Sequence, residues 1–134
     1  MKNIGVSIIT VVYNNIRGIE RTIQSVLNQS YNNIEYIIID GGSTDGTLDV
    51  IKRYENRISY WISEADEGIY NAMNKGILKA HGSFLNFMNS GDTFVTSTTI
   101  ERLIERYEKG DKIIYGSELS SYYNNHEGAT FKSI

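Results

Sequence analysis

Tyr13, Asn14, Asp40, Glu64, Asp66 and Asp92 each stand just past a short apolar run, the position from which polar groups reach a ligand at a sheet edge. Histidine is scarce, with His81 and His126 far apart in the chain, and cysteine is absent. Disulfides and thiol catalysis are therefore excluded, and zinc is disfavoured. A carboxylate-lined edge with few nitrogen donors suits a hard cation, Mg²⁺ or Mn²⁺. The stretch Asp40-Gly41-Gly42-Ser43-Thr44-Asp45-Gly46 is rich in glycine, but it follows the second apolar run and its spacing is wrong for a known phosphate loop. Neither G-x-x-x-x-G-K-[ST] nor G-x-G-x-x-G occurs, which removes the ordinary ATPase and dehydrogenase readings.

Each acid also has a plainer reading. Asp40 and Asp45 suit a turn or a helix cap beside their glycines, and Asp92 suits the cap of a short turn. Glu64, Asp66 and Glu67 could be the solvated acidic start of a helix. These readings weaken together, because four separate strands must then deliver polar groups to one edge by coincidence.

The elements that position these residues follow from periodicity. Residues 4–12 form a near-continuous β-branched run, the pattern of a strand buried on both faces. Ile16, Ile19, Ile23, Val26 and Leu27 recur at helical spacing over residues 16–28. Residues 34–39 are a second strand, and a helix carrying Leu48, Ile51 and Tyr54 follows, with Ser43 or Thr44 as the expected cap. Residues 58–63 read as a third strand, Ile69, Met73, Ile77 and Ala80 mark a helix, and residues 83–88 read as a fourth strand. A helix through Ile100, Leu103, Ile104 and Tyr107 leads to a fifth strand at 112–115, and the polar, aromatic tail at 116–134 carries no clear period. Strand–helix alternation predicts an α/β fold with a mainly parallel, Rossmann-like sheet flanked by helices.

A chain of 134 residues fits one domain, and 40% hydrophobic with 22% charged residues describes an ordinary globular composition. The net charge of −3 argues against nucleic acid as a partner but permits a phosphate ligand accompanied by a cation. With no proline, the turns rest on glycine, Asn, Asp and Ser. No secretory signal pattern opens the chain, and no apolar run approaches the roughly 20 residues of a membrane span. A cytoplasmic location is the expectation.

At this level of detail the chain resembles the family-two glycosyltransferases. Residues 6–14, VSIITVVYN, are similar to that family's first strand, and DGGSTDGT at 40–47 to its D-x-S-x-D-G-T segment. DEGIYNAMNKG at 66–76 resembles its D-x-G-x-Y-x-A-x-N-K-G helix, and Asn89-Ser90-Gly91-Asp92 stands where it carries D-x-D. The four segments keep the family's order and spacing across nearly the whole chain.

The resemblance implies a GT-A nucleotide-sugar-binding domain over 1–134, the N-terminal part of a longer catalytic domain. It implies inverting transfer from a UDP-sugar to a saccharide or lipid-linked acceptor, assisted by Mn²⁺ or Mg²⁺. Val11 and Tyr13 would border the uracil, Asp40 would accept its N3–H, and Asp66 would approach base or ribose. Asn14, Ser43, Asn71 and Gly91 would complete the donor site. Lys75 would either reach the diphosphate or remain a surface cation beside the acidic loop. Asp92 would hold the metal. A lipid-linked acceptor leaves room for peripheral membrane contact.

This chain departs from the family in lacking a proline near Val11 and in reducing D-x-D to Gly91-Asp92. The resemblance implies a general base beyond residue 134, with the family's acceptor half, and Glu118, His126 and Glu127 read as loop residues. A donor-binding module without catalysis is therefore the rival. A nucleotidyltransferase ranks behind both, because no basic, glycine-rich loop follows the first strand.

Overall fold

The computed structural model describes residues 4–107. Four parallel strands form one sheet in the order β3-β2-β1-β4: β1 (Val6–Val12), β2 (Ile34–Asp40), β3 (Tyr60–Ser63) and β4 (Phe84–Phe87). Val6 lies beside Ile34 and Phe84, and Asp40 pairs in register with Val12 on one side and Ser63 on the other. All strands therefore end at the same rim.

Between them run α1 (Ile16–Leu27), α2 (Thr47–Arg53), α3 (Ile69–Lys79) and α4 (Thr99–Arg106), with a 3₁₀ turn at Glu55–Arg57. Alternation along β1 divides the core in two. Ile8 and Val12 face a cluster with Ile19, Ile23 and Val26 of α1, Val50 and Ile51 of α2, and Ile100 and Ile104 of α4. Ile9 and Val11 face Ala72 of α3, together with Ile37 and Ile39. The approach of α3 is close, for a methyl group on Gly76 would stand 2.5 Å from Ile9 Cγ2. Helices cover both faces, as the near-continuous apolar β1 and β2 require.

The expected strands and helices from residue 4 to 107 are all present, shifted by a residue or two at their ends. One local expectation is corrected. Neither Ser43 nor Thr44 caps α2, whose N-cap is Gly46 at φ 103°. Asp45 Oδ1 instead accepts the Thr47 N–H at 3.0 Å and the Thr47 hydroxyl at 2.6 Å. Ser43 is drawn inward to Asp40, as described below. The strand expected at 112–115 and the tail at 116–134, with Glu118, His126 and Glu127, lie outside the described residues.

Candidate functional site

Strand order reverses at β1, so the crevice beyond its carboxyl end, shared with β4, is where a ligand of such a sheet binds. Tyr13, Asn14 and Asn15 lead from β1 into α1 there. Asn14 takes a left-handed conformation, φ 47°, which asparagine tolerates better than most residues. Its N–H donates to Ser43 Oγ at 2.8 Å, and its Oδ1 accepts the Thr44 N–H at 2.8 Å. The first turn is thus tied to the loop after β2, leaving Tyr13 outside with 63% of its surface exposed.

Asp40 ends β2 with no exposed surface. Its Oδ2 accepts the N–H groups of Gly42 (3.0 Å) and Ser43 (2.8 Å) and the Ser63 hydroxyl (2.8 Å), while Oδ1 accepts the Ser43 hydroxyl (2.5 Å). A buried carboxylate is tolerated only when its lone pairs are met in this way. Asp40 organises the loop from within, and Ser43 relays it to Asn14. Val11 is likewise buried, in the α3-side core.

The acceptor that remains open is Asp66. Among the described residues no hydrogen bond or ion pair reaches its carboxylate. A methyl group on Gly41 would lie 3.1 and 3.4 Å from its two oxygens and 3.4 Å from Tyr13 Cδ1. Tyr13, the Gly41 backbone and Asp66 therefore converge, and the missing side chain at Gly41 keeps the space between them clear. Nearby, Asn71 Oδ1 accepts the Glu67 N–H at 3.0 Å. Lys75 Nζ lies 3.0 Å from Glu64 Oε2 and donates to the Ala65 carbonyl at 3.3 Å. Both residues face the loop after β3.

At β4, the turn 89–92 leans on α1. Gly91, at φ 99°, donates its N–H to Thr22 Oγ1 (2.8 Å), and the Thr22 hydroxyl donates to the Asp92 carbonyl (2.8 Å). A methyl group on Gly18 would come within 3.0 Å of Gly91 Cα, so small residues on both sides permit the contact. Asp92 is exposed, and in the same turn Asn89 carries a buried Oδ1 without a hydrogen-bond partner. No group of three His, Cys, Asp or Glu able to hold a metal occurs among the described residues.

Two of the N–H groups that open α1 are taken by its own neighbours. Ile16 N–H donates to Asp45 Oδ2 (3.0 Å), and Gly18 N–H to the capping Asn15 Oδ1 (3.1 Å). The Thr47 hydroxyl, aided by the Thr47 and Ile16 N–H groups against a small desolvation, holds the Asp45 carboxyl below its ordinary range. Sequence reasoning placed Glu64 at the rim without a role and missed Gly41 and Asn89 as site residues. The available signals were the second glycine beside Gly41 and, for Asn89, its place in the 89–92 segment.

The sequence profile of Glycosyl transferase family 2 matches residues 7–131. An uncharacterized glycosyltransferase of Mycobacterium tuberculosis is 42% identical over 101 residues, covering 75% of this chain and 38% of that protein. The putative teichuronic acid biosynthesis glycosyltransferase TuaG of Bacillus subtilis is 42% identical over 90 residues, covering 65% and 36%. The chain thus spans under half the length of these curated relatives. Among solved structures, the mannosyltransferase PcManGT from Pyrobaculum calidifontis, in complex with GDP-Man and Mn²⁺, superimposes with a TM-score of 0.72 at 20% identity, over 78% of this chain and 32% of that one. S. aureus TarS 1–349, in complex with UDP-GlcNAc, gives 0.69 at 24% identity, over 75% and 30%. No helix among the described residues is long and apolar enough to cross a membrane.

Proposed function

Because the chain belongs to glycosyl transferase family 2 and has the GT-A fold of its structural neighbours, we propose that residues 1–134 bind the donor of an inverting transfer from a UDP-sugar to a saccharide or lipid-linked acceptor. The observation that carries this reading is the gap between Tyr13, Gly41 and Asp66, floored by backbone and open on a carboxylate. An ionised carboxylate only accepts hydrogen bonds, which suits the imide N–H of uracil, and the Tyr13 ring offers a face to the base. Asp40, Ser43 and Asn14 build the loop that floors the gap, and Val11 supports it from the core.

The diphosphate needs positive charge that the rim does not supply. The Asp92 carboxylate and the unpartnered Asn89 amide oxygen are hard donors in one turn, too few for a dedicated cage but fitting a Mg²⁺ or Mn²⁺ shared with phosphate oxygens. Such a cation would offset the charge that builds on the departing nucleoside diphosphate. Gly91 holds this turn against α1. No general base is assigned within this chain, which spans under half the length of its curated relatives.

That same length difference favours a second reading, a donor-binding module that requires further sequence to turn over. Calorimetry with UDP and GDP in the presence of Mn²⁺, on the wild type and Asp66→Asn, tests donor binding separately from sugar transfer. UDP should bind in preference to GDP and weaken at least about tenfold in the variant, the worth of one hydrogen bond to a charged group. Unchanged UDP affinity in Asp66→Asn, or a preference for GDP, refutes the reading. Binding without transfer selects the module.

A further inference from the structure

We infer that Lys75 is a positioning residue that clamps the loop after β3, so that Asp66 faces the gap beside Tyr13, and that it does not contact the diphosphate. The functional meaning of this clamp rests on the donor-binding reading above. Its structural half rests on geometry alone.

Residues 64–68 join β3 to α3 with little apolar packing: Glu64, Ala65, Glu67 and Gly68 are all exposed. Polar anchors hold them instead. At the entry, Glu64 N–H donates to the Asp40 carbonyl at 3.0 Å. The Lys75 ammonium then grips Glu64 Oε2 (3.0 Å) and the Ala65 carbonyl (3.3 Å), and Asn71 Oδ1 accepts the Glu67 N–H (3.0 Å). Asn71 and Lys75 stand one helical turn apart and share a face of α3. Two neighbouring side chains therefore seize the loop on either side of Asp66, which is left between the anchors with its own carboxylate open.

The exit of the loop explains why a clamp is needed. Gly68 has φ 110°, and a methyl group placed on it would meet no atom within 4 Å. No side chain packs on that side of Gly68, and its carbonyl meets α3 only through the Ala72 N–H at 3.1 Å. The Lys75 side chain is only 24% exposed, against 51% for Glu64, so the stem lies against the protein while the ammonium faces the loop. Two of the three ammonium N–H groups are thereby directed at the loop rather than at the open rim.

The test is a mutant cycle read in two ways. UDP and uridine affinities are measured with Mn²⁺ for the wild type, Lys75→Met, Glu64→Gln and the double variant, and amide hydrogen exchange at residues 65–67 is followed without ligand. Each single change should weaken UDP and uridine by the same factor, up to about fivefold, the ceiling for a partly exposed ion pair. The double variant should be no weaker than the worse single, because both changes break the same Lys75–Glu64 ion pair. Exchange should quicken in all three, at least as much in Lys75→Met as in Glu64→Gln, and return to wild type in Lys75→Arg, while the melting temperature falls by no more than about 5 °C.

A Lys75→Met protein that loses UDP but keeps uridine overturns the inference, as does Glu64→Gln binding UDP more tightly, multiplying losses, or unchanged exchange. If the wild type binds neither ligand, the donor reading fails, and the exchange measurement alone decides the clamp.

Discussion

Replacing Asp40 separates a loop-building role from a ligand contact. In Asp40→Ala the two backbone N–H groups and two hydroxyls that converge on the carboxylate lose their acceptor in a site with no exposed surface. A buried donor left unmet costs about 1–3 kcal/mol, and rearrangement of the two hydroxyls and entry of water relieve part of the sum. A net loss of about 3–5 kcal/mol follows, near the upper end for single substitutions. At about 3–5 °C per kcal/mol for a domain of this size, the melting temperature should fall by roughly 10–20 °C. Asp40→Asn keeps one oxygen for the three donors at Oδ2 and places an amide N–H₂ against the Ser43 hydroxyl. That hydroxyl can accept from the amide only by leaving its own proton unpaired, for it already accepts the Asn14 N–H. A cost of about 1–2 kcal/mol is expected. Scanning calorimetry, with UDP titrations well below each melting temperature, reads both effects. Wild-type stability in Asp40→Ala combined with complete loss of UDP binding would refute this reasoning and return Asp40 to the ligand.

Gly41→Ala should leave stability unchanged or raise it by up to about 1 kcal/mol, since Gly41 is not among the positive-φ residues, while UDP affinity falls about tenfold as the methyl pushes Asp66 aside and fills the space next to Tyr13; unaltered affinity in a titration would count against the gap as a site. For Glu35, partial burial pushes the carboxyl up, but the His81 ring and N–H and the Ser7 hydroxyl outweigh it and hold it below its ordinary 4.5. The unfolded chain then binds the proton more readily, so this stabilisation is complete above about pH 4.5 and is lost as pH falls below it. Melting curves of the wild type and Glu35→Gln should therefore converge on acidification and stand apart near neutrality; parallel curves would disprove the linkage. Asp92→Ala should abolish the gain in UDP affinity that Mn²⁺ confers while sparing uridine, as titrations with and without chelator would reveal; an undiminished Mn²⁺ effect would place the metal elsewhere.

What could be read from the chain, and what could not, divides along the range of the interactions. β1 and β2 were legible because both faces of each are covered, so every residue from Ile34 to Ile39 but Glu35 and Tyr36 is aliphatic. The rim was legible because parallel strands all end on one side. The direction in which each acid turns was not. Asp40 and Asp66 look alike in sequence, yet one is closed by Ser43 and Ser63 and the other is left open. That difference depends on Ser63, 23 residues away on β3. The cap expected from Ser43 failed for the same reason: its hydroxyl is claimed by Asp40 and by Asn14 on β1's exit, leaving α2 to Asp45. Lys75 was read as either a phosphate ligand or a surface cation because α3 alone does not reveal where the preceding loop folds back.

The charges at the rim explain why the two ends of a nucleotide should depend on different partners. In a dinucleotide site, free N–H groups opening the first helix take the phosphates. Here Asp45 and Asn15 already occupy the Ile16 and Gly18 N–H groups, and Glu64 with the Ala65 carbonyl occupies Lys75. Asp66 and Asp92 add negative charge on the same side. Two like charges 4 Å apart at a protein surface repel by about 4 kcal/mol, enough to cancel several ordinary hydrogen bonds. On the proposed reading a nucleoside meets no such penalty, since Tyr13 would offer it a ring face and Asp66 an acceptor for a neutral N–H. On that reading a cation would serve the phosphates rather than the base, and the polar groups already engaged in folding the rim are the reason for it.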